Sequence, residues 1–122
     1  MIYAKAAALM LPVACVATIA ACASYPAPNE RMATSEAALR SAQEVGAQTQ
    51  PQAQLHAKLA QEEITAAKTA MSNGDNKRAD YVLIRAKADA ELALGEAREA
   101  QAVADATKAK EQVRALQQSL NQ

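Results

Sequence analysis

From Val82 onward the chain places a small or apolar residue at every step of four or three: Val82, Ala86, Ala90, Ala93, Ala97, Ala100 and Ala104. At roughly 100° per residue these positions form one stripe along an α-helix. A second set follows sevens in two registers. One is Tyr81, Ala88, Gly95, Ala102, Ala109 and Leu116; the other is Arg85, Leu92, Glu99, Ala106, Val113 and Leu120, in which only Arg85 and Glu99 are charged. Together they predict one helix over about residues 76–119, roughly 65 Å long at 1.5 Å per residue. Heptad spacing over that length signals helix-on-helix packing, and two seams predict two helical neighbours. The first seam stops after Ala104, where Thr107, Lys108 and Glu111 follow.

Two shorter helices precede it. Met32, Leu39, Ala42 and Val45 share an arc of a helix over about residues 30–47, which Gly46 and the Gln-Thr-Gln run end. Pro51 suits the first turn of a second helix over about residues 51–72, with Thr49 or Gln50 as its cap. Its apolar arc is Leu55, Leu59, Ala60, Ile64, Ala66, Ala67, Ala70 and Met71. Asn73-Gly74-Asp75 closes it, Gly74 taking the left-handed terminating position and Asp75 capping the third helix. So short a connection predicts antiparallel neighbours. The expected fold is all-α: an Ala-rich antiparallel three-helix bundle or coiled coil over 31–122. The bundle covers residues 30 to about 104, and beyond it the third helix keeps only its second seam. Val113, Leu116 and Leu120 then form a candidate interaction surface for self-association or a partner helix.

The first thirty residues obey a different pattern. Met1 to Lys5 is weakly basic, and Ala6 to Ala21 is an apolar run interrupted only by Pro12 and Thr18. That run is shorter than the roughly 20 residues a spanning helix needs, and it has the layout of a secretory signal. Ile19-Ala20-Ala21-Cys22 resembles a bacterial lipobox, in which cleavage precedes the Cys and its thiolate, the nucleophilic form of the side chain, takes the lipid. The segments are thus a lipoprotein signal peptide over 1–21 and a lipidated Cys22 with a Pro-containing tether over 22–30. Ala21-Cys22-Ala23 also satisfies the rule for ordinary signal peptidase, whose cut after Ala23 would release a soluble periplasmic chain. A disulfide between Cys15 and Cys22 is the remaining alternative, but Cys15 lies in the discarded segment. Neither Ala23 nor Ser24, the two residues directly after Cys22, is Asp. Asp there resembles an inner-membrane retention signal, so the outer membrane is the expected destination.

Composition narrows the function classes. Of 122 residues 33 are Ala, three are Tyr, and Phe and Trp are absent. This matches long helices and coiled coils and argues against a sandwich, a barrel or a dinucleotide-binding unit. Thirteen basic residues balance thirteen acidic ones, and removal of Lys5 with the leader leaves about −1. The charges are interspersed rather than gathered on a basic face, so no nucleic-acid partner is expected.

Candidate chemistry is sparse. His56 is the single histidine, and Glu63 lies two turns later. A zinc site needs three or four ligands, so these two are read as a partly buried polar pair bonded across the bundle rather than a metal or acid-base site. Glu62, Glu96, Glu99 and Asp80 lack a pocket-forming scaffold, and Tyr81 is expected to pack over the Gly74 turn. No catalytic residue, cofactor, metal or small-molecule substrate is assigned.

The stretch Ala70-Met71-Ser72-Asn73-Gly74-Asp75-Asn76-Lys77-Arg78-Ala79, followed by Ala86, Ala90, Glu91, Leu92 and Ala93, resembles the bacterial lipoprotein family called domain of unknown function 4398. The resemblance implies a lipobox, an Ala-rich helix ending near Gly, a second helix after Pro, and a Gly-Asp-aromatic turn into a third. Asn76 stands where that turn usually carries the aromatic. Some relatives add a C-terminal peptidoglycan-binding domain, and none is expected here in the residues up to Gln122. The family carries no established catalytic residues. A looser similarity to the murein lipoprotein, also a lipidated Ala-rich coiled coil, does not extend to its terminal Lys, since this chain ends Leu120-Asn121-Gln122. The expected role is that of an outer-membrane-anchored, non-catalytic structural or interaction module of the cell envelope, the alternative being a soluble periplasmic adaptor or chaperone-like binder.

Overall fold

The computed structural model describes residues 24–121; the expected signal peptide over 1–21, the expected lipidation site Cys22 and Ala23 lie outside them. Three α-helices account for almost all of this: α1 (Asn29–Glu44), α2 (Pro51–Ser72) and α3 (Asn76–Leu120), with one turn of 3-10 helix at Ala47–Thr49 between the first two. The all-α three-helix architecture is therefore as expected, and α3 packs against both other helices.

Local chemistry explains each boundary. Gly46 adopts φ 93°, a left-handed conformation that favours glycine, so α1 stops at Glu44 rather than near residue 47. Ala47 then turns inward and is completely buried. The Thr49 hydroxyl donates to the Gly46 carbonyl, which leaves Gln50 in the cap position before Pro51 without a side-chain bond. At the second turn Gly74 has φ 78°; its N–H donates to the Met71 carbonyl and that of Asp75 to the Ala70 carbonyl, closing α2 in a Schellman arrangement. Asp75 also starts α3, its carboxylate accepting from the Arg78 N–H at 3.1 Å.

Cross-helix contacts fix the directions. Ser35 of α1 lies beside Leu83 of α3 and Arg31 beside Asp80, so α1 and α3 run parallel. His56 meets Asp89 and Glu63 meets Arg85, so α2 runs antiparallel to them. The buried apolar residues follow heptad steps: Ala53, Ala57, Ala60, Ile64, Ala67 and Ala70 on α2, and Ala79, Leu83, Ala86, Ala90, Ala93 and Ala97 on α3. Leu39 and Ala42 complete the core from α1, and only Leu39, Ile64 and Leu83 are larger than Ala. Ser35, also fully buried, has its hydroxyl 2.8 Å from the Arg31 carbonyl and 3.1 Å from that of Leu83, so its polarity is satisfied inside the seam.

Several expected core positions face elsewhere. Leu55 is 55% exposed and Leu59 37%, because the α2 seam centres on the alanines and Leu55 stands two residues, about 200°, from Ala53 and Ala57. Ala66 is exposed for the same geometric reason. On α3, Val82 is half-buried beside the seam, whose first members are Ala79 and Leu83. The seam ends at Ala97; Ala100 is half-buried and Ala104 exposed, since α2 begins at Pro51 and its first residues cover them only in part. The second seam does not contact a second neighbour inside the bundle. Offset from the first by two residues, it points outward, and α1 and α2 share the first. This geometry predicts that Ala90→Leu, which forces a large side chain into a fully buried position, lowers unfolding free energy in urea by about 1–3 kcal/mol, whereas Ala104→Leu stays within about 0.5 kcal/mol.

Candidate functional site

Three features lie outside the alanine core. The first is a strap formed by the residues preceding α1. The Tyr25 hydroxyl donates to Asp80 Oδ2 at 2.9 Å, Arg31 Nε donates to Asp80 Oδ1, and Asn76 Nδ2 donates to the Tyr25 carbonyl at 2.8 Å. The expected tether is thus fastened to the start of α3 from Tyr25 onward. The hydrogen bonds set the direction of both shifts: acceptance from Tyr25 and then the Arg31 bond hold Asp80 below the usual carboxylate value, while donation to that carboxylate pushes the Tyr25 phenol upward.

The second is a polar ladder beside the α2–α3 seam. His56 Nδ1 lies 2.9 Å from Asp89 Oδ1 and its Nε2 lies 3.9 Å from Glu96 Oε1; Arg85 Nη2 donates to Glu63 Oε1 at 2.9 Å. His56 and Glu63 are partly buried and engaged across the bundle, but with α3 residues rather than with each other, because residues seven apart on α2 are two turns distant. Burial raises the Glu63 carboxyl above its usual value, opposed by Arg85 and reinforced by the Asp89 charge. The second oxygens of Glu63 and Glu96 are buried without a hydrogen-bond partner. Among the described residues no group of three or more His, Cys, Asp or Glu side chains is arranged to hold a metal ion.

The third is the free end of α3. Every residue from Gln101 to Asn121 is exposed, including Val103 at 61%, Val113 at 54%, Leu116 at 64% and Leu120 at 85%. The three apolar residues singled out from the sequence therefore lie on an uncovered helix. Tyr81 is also open, at 61%, lining a groove with Asp75, Lys77 and Arg78 instead of closing over the turn; a Cβ at Gly74 would meet nothing within 4 Å. No helix among the described residues is long and apolar enough to cross a membrane.

The sequence profile of the domain of unknown function DUF4398 matches residues 30–116. The chain belongs to the DUF4398 family. No curated protein and no solved structure matches it. The DUF4398 match spans all three helices, including most of the uncovered part of α3, and begins after the strap. Asn76, at the turn into α3, anchors Tyr25. Asp80, Asp89 and Arg85 were not legible as partners because each is matched with a residue 22 to 55 positions away, and no local spacing signals such a pairing.

Two titrations follow from this geometry. Glu63 binds its proton more tightly folded than unfolded, so stability falls as pH rises from the ordinary value of 4.5 through the raised one, and Glu63→Gln removes that segment of the stability profile measured by urea unfolding. Asp80 acts oppositely, its contribution being present above 3.8 and lost as pH falls. Tyr25→Phe moves the Asp80 carboxyl, followed by NMR titration, up toward 3.8 while circular dichroism of the helices is unchanged.

Proposed function

We propose that this DUF4398 chain is an outer-membrane-anchored lipoprotein of the bacterial cell envelope, a non-catalytic structural or protein-interaction module tethered through Cys22. The observation that carries the reading is the strap. It ties the chain leaving the lipobox to the turn end of the bundle, at the N-terminus of α3. Cys22 lies three residues before Tyr25, within about 11 Å of chain. With the anchor at that end, α1 and α3 point away from the membrane together, and the uncovered tail of α3 becomes the distal part of the molecule.

The interaction role rests on that tail. From Ala100 to Leu120 it extends about 30 Å past the bundle and carries Val113, Leu116 and Leu120. A soluble helix normally turns such a stripe toward other protein. The non-catalytic reading draws on the alanine seam, which packs methyl against methyl, and on the polar ladder, whose His56 and Glu63 are engaged by charges of the facing helix.

Mass spectrometry of the mature N-terminus tests the anchor. The expected product begins at a diacylglyceryl-modified Cys22, and Cys22→Ala abolishes fatty-acid labelling and partitioning into the detergent phase. An unmodified chain beginning at Ser24 would replace the lipoprotein reading with the soluble periplasmic adaptor.

A further inference from the structure

We propose that the uncovered part of α3 pairs with the same segment of a second copy as a parallel, in-register two-stranded coiled coil over residues 102–120. The proposal names the partner for the interaction role above and rests on that reading, although the pairing itself needs no lipid.

The outward seam supplies the interface. Ala102, Ala106, Ala109, Val113, Leu116 and Leu120 advance by four, three, four, three and four residues, which makes Ala106, Val113 and Leu120 a positions and Ala102, Ala109 and Leu116 d positions. A β-branched residue at a beside Leu at d, as at Val113 and Leu116, favours two parallel strands. Toward the bundle the same seam meets Glu99 at an a position, where two copies would oppose like charges, so the pairing stops there. α1 and α2 cover the opposite side of α3, centred on Ala86, Ala90 and Ala93, and do not obstruct an approach from this side.

Charge decides the orientation. In a parallel in-register pair each g position faces the e position five residues later on the partner. Asp105 then faces Lys110 of the other copy, twice by symmetry, and Gln112 faces Gln117. An antiparallel pair overlapping the same residues places Lys110 against Lys110 and leaves Asp105 opposite Ser119. Only the parallel arrangement matches the charges, and it is also the one two copies adopt when both are held at the strap end by one membrane. The helix itself has reason to be covered. From Gln101 onward every described residue of α3 is exposed, so this part relies mainly on intrinsic propensity and continuity with the bundle, whereas helices in proteins draw most of their stability from a packed face.

Disulfide trapping in the full-length chain, purified in detergent, tests the pairing, with the unsubstituted chain as control for Cys22. On mild oxidation Leu116→Cys is expected to give a disulfide-linked homodimer of twice the chain mass, in at least about tenfold higher yield than Glu111→Cys, whose residue lies at the outer f position. Asp105→Lys is expected to weaken the dimer about tenfold in sedimentation, and adding Lys110→Asp to restore it. No Leu116→Cys dimer, equal yields from the two positions, preferential linkage of Ala106→Cys to Leu116→Cys in a mixture, or failure of the charge reversal to restore the dimer would overturn the proposal. Lipid on Cys22 is scored by mass in the same samples: dimer without lipid counts against the anchor alone, and lipid without dimer against the pairing alone.

Discussion

Contact between alanine methyl groups along one line of α3 is the constraint on which the bundle depends. Each such methyl removes little apolar surface from water, about 0.8 kcal/mol per buried carbon at best. The seam therefore depends on many repetitions and on close approach of the helices, with Leu39, Ile64 and Leu83 as its few larger members. Alanine also has the highest helix propensity of any residue, so the same residues that allow close packing stiffen the elements that pack. Both properties fail at the turns, where Gly46 and Gly74 take the left-handed conformations that an alanine resists.

A seam this thin leaves polar groups little room in the centre. Ser35 enters it because its hydroxyl has two carbonyls within reach. The longer polar side chains flank it instead. His56, Glu63, Asp89 and Glu96 line the α2–α3 edge, each side chain a quarter exposed or less, and their polar groups meet partners across the two helices rather than along one. The same restriction explains the strap: Tyr25, too large for the seam, lies over the end of the bundle, where the Asp80 carboxylate is accessible.

Unequal helix length then creates the uncovered tail on which the proposed interaction role rests. α2 supplies 22 residues and α3 45, so a partner that covers α3 from its first turn is used up near Ala97. The outward seam continues past that point without interruption. Inside the bundle it is the solvent face of α3, interrupted by Arg85 and Glu99; beyond the bundle it is exposed and free of charge from Ala102 to Leu120.

Element type, number and turn chemistry were legible in the sequence, because period, Gly, Pro and a capping Asp act over a few residues. The likeness of Ile19-Ala20-Ala21-Cys22 to a lipobox is likewise a local pattern of the sequence. Which seam is buried was only partly legible. Val82, Leu55, Leu59 and Ala104 all fit a helical stripe, yet a stripe states only that residues share a face, and the facing helix decides whether that face is covered and where cover ends. The partners of His56, Glu63 and Tyr25 depended wholly on tertiary structure. Parallel alignment of α1 with α3 brought Tyr25 to Asp80, and the register of α2 against α3 set His56 beside Asp89 instead of Glu63. Helix periodicity is set by each peptide unit and its neighbours, whereas register is set by how three surfaces fit at once, and only the folded bundle contains that information.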